Sequence, residues 1–229
     1  MPANRFFSPG PLQGRVDLKD AEHHHLRVMR IAEGEEVELV NGQGQLARAK
    51  LVSMDKHKAT LQVLSVQSVP RPTHSIALAI PYMRASKLEF IVEKGTELGA
   101  DAFYLFPSER AEKCDLSPNQ LERLHLLIVS ALKQSGRLYL PPLQLLADFE
   151  DLFKSESVLL FGDIGPNALW IAPAKQNTLF VTGPEQGFSP KELQLLAAQG
   201  TGVKLSANIL RAETAPLAAL SVLRVGSCI

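Results

Sequence analysis

An α/β fold with a mostly parallel sheet, preceded by a small β-barrel, is the architecture this sequence predicts. Three observations predict it. Short runs with alternating apolarity occupy residues 36–66, strand-length apolar runs alternate with helical patterns after residue 75, and Val69-Pro70-Arg71-Pro72 places a short, stiff linker between the two patterns. Strands separated by helices imply parallel pairing, because a crossover helix returns the chain to the start of the next strand. The expected domains are therefore residues 1–70 and 71–229.

In the first segment, Val37-Glu38-Leu39-Val40 leads through Asn41-Gly42-Gln43-Gly44 into the run Leu46–Val52, and Ala59–Leu64 alternates with period two. Asn-Gly between such runs is a strong hairpin signal. A small barrel of about 70 residues is the natural reading.

In the second segment, Ser75–Ile80 has strand length, and residues 86–98 place Leu88, Ile91, Val92, Gly95 and Leu98 on one helical face. Gly99 suits the C-terminal cap. Phe103–Phe106 reads as the next strand. Ser117-Pro118-Asn119-Gln120 opens a helix: serine caps, proline fits the first helical position, and glutamine closes a capping box. Ser189-Pro190-Lys191-Glu192 repeats that signal, and Gly200 ends its helix. Val158–Phe161 and Thr178–Val181 complete the buried strands. The last helix begins between Glu213 and Ala215, since Pro216 is tolerated only in a first turn.

Composition excludes several classes. The apolar content of 45 % is ample for a core, yet no apolar run reaches the roughly eighteen residues that span a bilayer. The start Met1–Phe7 lacks a signal peptide's apolar stretch, so cytoplasmic residence and no membrane partner are expected. Cys114 and Cys228 give neither a disulfide framework nor metal-ligand spacing. The 24 basic and 24 acidic residues cancel, which argues against an indiscriminate nucleic-acid coat but leaves room for a local basic patch.

Two strand-to-helix junctions near the C-terminus carry the chemistry. The first is Thr182-Gly183-Pro184-Glu185-Gln186-Gly187-Phe188, at the end of an apolar strand. Glycine permits close approach of backbone to a ligand, and α/β proteins bind ligands at such strand ends. Neither a phosphate-binding Gly-Lys-Ser/Thr nor a Gly-x-Gly-x-x-Gly fingerprint is present, which disfavours a classical nucleotide-phosphate site. The second is Leu205-Ser206-Ala207-Asn208-Ile209-Leu210-Arg211-Ala212-Glu213-Thr214, where Ile209 and Leu210 are expected to anchor the loop beneath Arg211. One βα unit apart, the loops are placed to share a pocket for one small ligand. Among other candidates, His23-His24-His25 cannot converge on one metal ion from a helix and reads as a partly exposed helix start. Arg27 and Arg30, at helical spacing, share a face and with Arg5 form either a phosphate-contacting patch or an ordinary solvated face. Ser108-Glu109-Arg110 sits where a strand ends, which suits a substrate-facing arginine.

Taken together, these motifs resemble the RsmE family of 16S ribosomal RNA methyltransferases, within the SPOUT superfamily. The resemblance runs along nearly the whole chain. It rests on Arg5-Phe6-Phe7, His25–Arg30 with Gly34, Lys87–Phe90, Glu97-Leu98-Gly99, Ser108-Glu109-Arg110, Gln134-Ser135-Gly136-Arg137, Gly183-Pro184-Glu185 and Ile209–Thr214, in that order. It implies a PUA-like RNA-binding barrel over 1–70, a SPOUT α/β methyltransferase domain with a C-terminal trefoil knot over 71–229, and a homodimer. It also implies S-adenosylmethionine as cofactor, no metal, and N3 of a specific uridine in 16S rRNA, within the small ribosomal subunit, as target. The chain departs from the family pattern at Gln186, where a glycine is usual, at Ser206-Ala207, where Gly-Pro is usual, and at Lys133, where glutamate is usual. None inserts a β-branched side chain.

The expected roles follow from that resemblance. Thr182, Gly183, Pro184, Glu185, Gly187, Leu205, Ser206, Ile209 and Leu210 would surround the cofactor. Arg211 would stabilise the uridinate or its phosphate, and Glu213 would either accept a proton or orient Arg211. Arg5, Arg27, Arg30, Arg84 and Arg110 would meet RNA, with affinity falling as salt rises by a log–log slope of about 0.7–0.9 per neutralised phosphate. The rival readings are a SPOUT enzyme acting on another RNA position and a non-catalytic ribosome-assembly factor with a drifted pocket.

Overall fold

The computed structural model describes residues 4–112, 115–166 and 168–226. Cys114 and Cys228 lie outside them. The described residues fall into two compact units: those through Arg71 together with Val129–Leu140, and Pro72–Ile128 together with those from Pro141 onward.

The first unit holds β1 (Arg5–Phe7), β2 (Arg15–Lys19), α1 (Asp20–Val28), β3 (Glu36–Val40), β4 (Gln45–Met54) and β5 (Lys58–Ser68). The strands form one sheet of order β1-β3-β4-β5-β2, and β1 and β2 do not pair among the described residues. The expected barrel is therefore a half-barrel. Its core packs Phe6, Leu18, Leu39, Leu51 and Leu61, alternate strand positions that period-two patterning selects, against Leu26 of α1. The β3–β4 turn is built on Asn41, whose Oδ1 accepts from the Gln43 and Gln45 amides at 2.9 and 3.2 Å. Gly42 and Gly44 supply its positive φ of 71° and 89°.

The second unit holds β6 (Ile76–Pro81), α2 (Ala85–Leu98), β7 (Ala102–Phe106), α3 (Pro118–Ser135), β8 (Leu143–Leu145), β9 (Val158–Gly162), β10 (Leu169–Trp170), β11 (Thr178–Val181), α4 (Pro190–Gln199), β12 (Thr201–Lys204) and α5 (Ala215–Leu223), although the last turns of α3 belong to the first. Its sheet runs β10-β12-β9-β11-β6-β7-β8 and every pair is parallel. The central strands β6 and β11 are buried throughout, as strands covered on both faces must be. α2 and α5 pack against each other, and α5 lies on β6 and β11.

Local signals set the helix ends. Ser117 and Gln120 bond reciprocally at the start of α3, and Ser189 and Glu192 form the capping box of α4. Gly99 caps α2 with φ 101°. Gly200 follows α4 for a different reason: its backbone is extended, and a Cβ there would lie 2.3 Å from Leu159. On α2 the expected face shifts slightly. Leu98 is exposed, and Thr96 is buried in its place, its hydroxyl donating to the Val92 carbonyl at 2.7 Å. A threonine that satisfies its own polar atom within the helix can face the core.

Candidate active site

Because the second sheet is parallel, β6, β7, β9, β11 and β12 all release their loops at one edge. The loop after β11 is pinned at both ends. The Thr182 amide continues the ladder to Ala79 at 2.9 Å, and Phe188 is buried against Phe149, with ring centroids 6.2 Å apart. Pro184 is buried, while Glu185, Gln186 and Gly187 are exposed. The Gly187 amide donates to Pro184 at 2.8 Å, and its φ of 73° closes the turn. Gly183 permits close packing, since a Cβ there would stand 3.1 Å from the Phe188 ring. Thr182 is 3 % exposed, yet its hydroxyl has no hydrogen-bond partner. A buried hydroxyl left unbonded costs free energy, so a polar group brought to this strand end would gain a hydrogen bond from it.

The loop after β12 folds on itself. The Asn208 amide donates to Ser206 Oγ at 3.1 Å, and the Arg211 carbonyl accepts from the Thr214 and Ala215 amides at 2.9 and 3.0 Å, which leads into α5. Leu205 and Leu210 are half-buried. Ile209 is not an anchor: it is 82 % exposed, because these local turns already hold the loop. The Arg211 side chain is exposed, with Nη1 4.0 Å from Glu213 Oε1.

Glu213 turns instead toward Lys87, in the first turn of α2. Lys87 Nζ lies 3.2 Å from Glu213 Oε2 and 2.5 Å from Glu185 Oε1. The Glu213 contact is ionic rather than a well-directed hydrogen bond, as that oxygen is buried without a directed donor. Burial pushes the Glu213 carboxyl up, but its own backbone amide, Lys87 and Arg211 together hold it below the ordinary glutamate range. One ammonium thus joins both candidate loops. The sequence marks Lys87 only within the Lys87–Phe90 family motif; the further signal it offers is a lysine opening the helix after the central strand.

The arginines expected to meet RNA are dispersed in role. In the second unit, Arg84 pairs with Glu112 at 2.9 Å, and Arg110 Nη1 approaches the Phe188 carbonyl at 3.3 Å, bracing the 182–188 loop. The Glu109 amide donates to buried Glu192 at 3.0 Å. A cleft of about 280 Å³ adjoins these residues, between Ser108, Phe149 and Lys191, and none of the expected cofactor residues lines it. In the first unit, Arg27 is exposed on α1. Arg30 is exposed but lies beyond the helix, which ends at Val28; it has φ 55°, so the two do not share a helical face. Arg5 is not offered to solvent. Its side chain is 9 % exposed and donates twice to Glu38, at 2.9 and 2.7 Å. His23 is buried beside the Asp55 carbonyl, and His25 packs on Phe6. No cluster of three or more His, Cys, Asp or Glu side chains fit to hold a metal occurs among the described residues.

Two family models match the chain: an RNA methyltransferase domain over residues 70–224 and an RNA methyltransferase PUA domain over residues 18–64. The parallel sheet with its strand-end loops is therefore that of an RNA methyltransferase. Among curated relatives, ribosomal RNA small subunit methyltransferase E of Synechocystis is 34 % identical over 92 % of this chain and 73 % of its own length. That of Bacillus subtilis is 31 % identical, covering 88 % and 86 %. The chain belongs to the ribosomal RNA small subunit methyltransferase E family. A crystal structure of the Neisseria gonorrhoeae member bound to S-adenosyl methionine is 30 % identical and superposes with a TM-score of 0.86, over 98 % of this chain and 97 % of that one.

Proposed function

We propose that this protein transfers the methyl group of S-adenosylmethionine to N3 of a specific uridine in 16S rRNA of the small ribosomal subunit. The observation that carries this reading is the convergence of the Thr182–Phe188 and Leu205–Thr214 loops on one strand-end edge. The fit of the cofactor rests on the same loops. The Thr182 hydroxyl is buried without a partner, and Gly187 keeps the turn although Gln186 replaces a glycine. Ser206 keeps a compact turn through its bond to Asn208. Thr182, Gly183, Pro184, Glu185, Gly187, Leu205, Ser206, Ile209 and Leu210 are assigned to holding the cofactor, which supplies an electrophilic methyl group on sulfur.

The chain's own residues then act in two ways. Holding donor and acceptor in line accounts for roughly 7–11 kcal/mol of barrier lowering in well-oriented systems. Uridine N3 must also lose its proton, leaving charge on O2 and O4 that the exposed Arg211 guanidinium can stabilise. Glu213, ionised at neutral pH, either takes that proton or positions Arg211. Because N3 lies on the pairing edge, the target base must be unpaired or flipped.

Residues 1–70 are assigned to RNA binding and 71–229 to catalysis, with cytoplasmic residence and pairing of two copies as the family implies. No helix among the described residues is long and apolar enough to cross a membrane. Exposed Arg27 and Arg30 are the assigned phosphate contacts of the first unit. A C-terminal knot fits the way α5 returns under the sheet, where the Leu223 carbonyl accepts from the Ala174 amide at 3.0 Å.

The test is calorimetric titration with S-adenosylmethionine, followed by nucleoside analysis of small-subunit RNA after incubation with protein and donor. One site per chain and the appearance of 3-methyluridine are expected. Binding with a different methylated nucleoside would reassign the target, and no binding would favour an assembly factor.

A further inference from the structure

We propose that Lys87 is the positioning residue that holds the Thr182–Phe188 and Leu205–Thr214 loops in one register. The inference deepens the methyltransferase reading and takes from it the meaning of the two loops. The loops leave β11 and β12, which are separated in the sheet by β9, so no strand ladder joins them. No hydrogen bond among the described residues links them directly. Among the described residues, the ion pairs that reach both loops come from one ammonium on a third element, 2.5 Å from Glu185 in one loop and 3.2 Å from Glu213 in the other.

The charges explain why that connection matters. Lys87 and Glu213 keep 23 % and 17 % of their side-chain surface exposed, so water screens them only in part. Remove the ammonium and two carboxylates are left facing one partly dry space, which drives them apart. Lys87 itself has a fixed base, since its amide donates to the Arg84 carbonyl at 3.0 Å in the first turn of α2. Arg211 rides on the same short turn as Glu213, its carbonyl bonded to the Thr214 and Ala215 amides. Fixing Glu213 therefore also fixes the backbone from which Arg211 projects. Through Glu185 the same ammonium steadies the turn that Gly187 closes. Lysine suits this position because its compact charge carries three donors and serves two carboxylates at once.

Hydrogen exchange on the full chain, without cofactor, tests this directly. Lys87→Met should speed amide exchange in both loops roughly fivefold, the scale of a lost ion pair near the surface, and leave β6 and β11 unchanged. Lys87→Arg should restore both. Glu185→Gln should loosen 182–188 and leave 205–214 slow, because Lys87 still holds Glu213. On the same samples, Lys87→Met should weaken S-adenosylmethionine binding and lower methyl transfer, with Lys87→Arg recovering both. Loosening of one loop alone in Lys87→Met, or of neither, would overturn the proposal, as would failure of a folded Lys87→Arg to restore them. Failure of the unaltered chain to bind S-adenosylmethionine would instead remove the methyltransferase reading, while the exchange rates still decide the role of Lys87.

Discussion

Arg224, one residue past the end of α5, donates from Nε to the Gly99 carbonyl at 2.8 Å. Its Nη2 reaches the same oxygen at 2.5 Å and also pairs with the Asp101 carboxylate. Asp101 in turn accepts from the Ile76 amide at 2.8 Å, so the end of α5 is fastened to the end of α2 and the start of β6. A carbonyl at a helix end lacks an intrahelical donor, and a guanidinium supplies one. Arg224→Met should therefore lower the stability of the second unit by about 2 kcal/mol, the worth of charge-assisted bonds that are mostly buried. A lower urea midpoint and faster amide exchange in α5 would register it; unchanged exchange in α5 would show that packing alone holds the helix.

Gly95 faces the core from α2, and a Cβ there would stand 2.8 Å from the fully buried Phe103 ring. Alanine improves helix propensity by about 1 kcal/mol, whereas overpacking costs about 1–3 kcal/mol. Gly95→Ala should be net destabilising, and Phe103→Leu in the same chain should recover part of the loss. Urea denaturation of the two variants measures both effects.

His25 lies against Phe6, ring centroids 5.0 Å apart. Burial and the nearby Lys133 ammonium hold its imidazole below the ordinary value near 6.5, against the opposing pull of Glu22. The sign follows from linkage. The unfolded chain binds the proton first as pH falls, so stability is retained above about pH 6.5 and declines below it. His25→Phe should flatten that decline between about pH 7 and 5 in urea midpoints. An equal decline in both proteins would assign the effect to other groups.

Arg211 is almost fully exposed, so its removal should leave the fold intact. Arg211→Ala is expected to lower methyl transfer by about 10²–10³, the scale for losing a donor to developing negative charge, and to leave cofactor affinity nearly unchanged. Single-turnover transfer and calorimetry separate the two. Unchanged turnover would remove Arg211 from the chemistry.

What the sequence by itself determined is what short-range physics controls. The apolar runs at 76–80, 103–106 and 178–181 are buried strands, that at 158–161 is a strand buried at alternate positions, and the caps at Ser117, Ser189 and Gly99 form between residues within a few positions of one another. The burial of Thr96 in place of Leu98 and the exposure of Ile209 escaped, because a satisfied hydroxyl and a self-supporting turn carry no hydrophobic signature. Only the tertiary structure decided that β12, a short and largely polar strand, sits between β9 and β10. It alone placed Val129–Leu140 with the first unit and turned Arg5 onto Glu38, away from solvent. It also brought Lys87 to Glu185, 98 residues away, and to Glu213 farther still. Charge pairs between residues so distant in sequence have no local pattern; they exist only once a parallel sheet has brought the ends of its strands to a common edge.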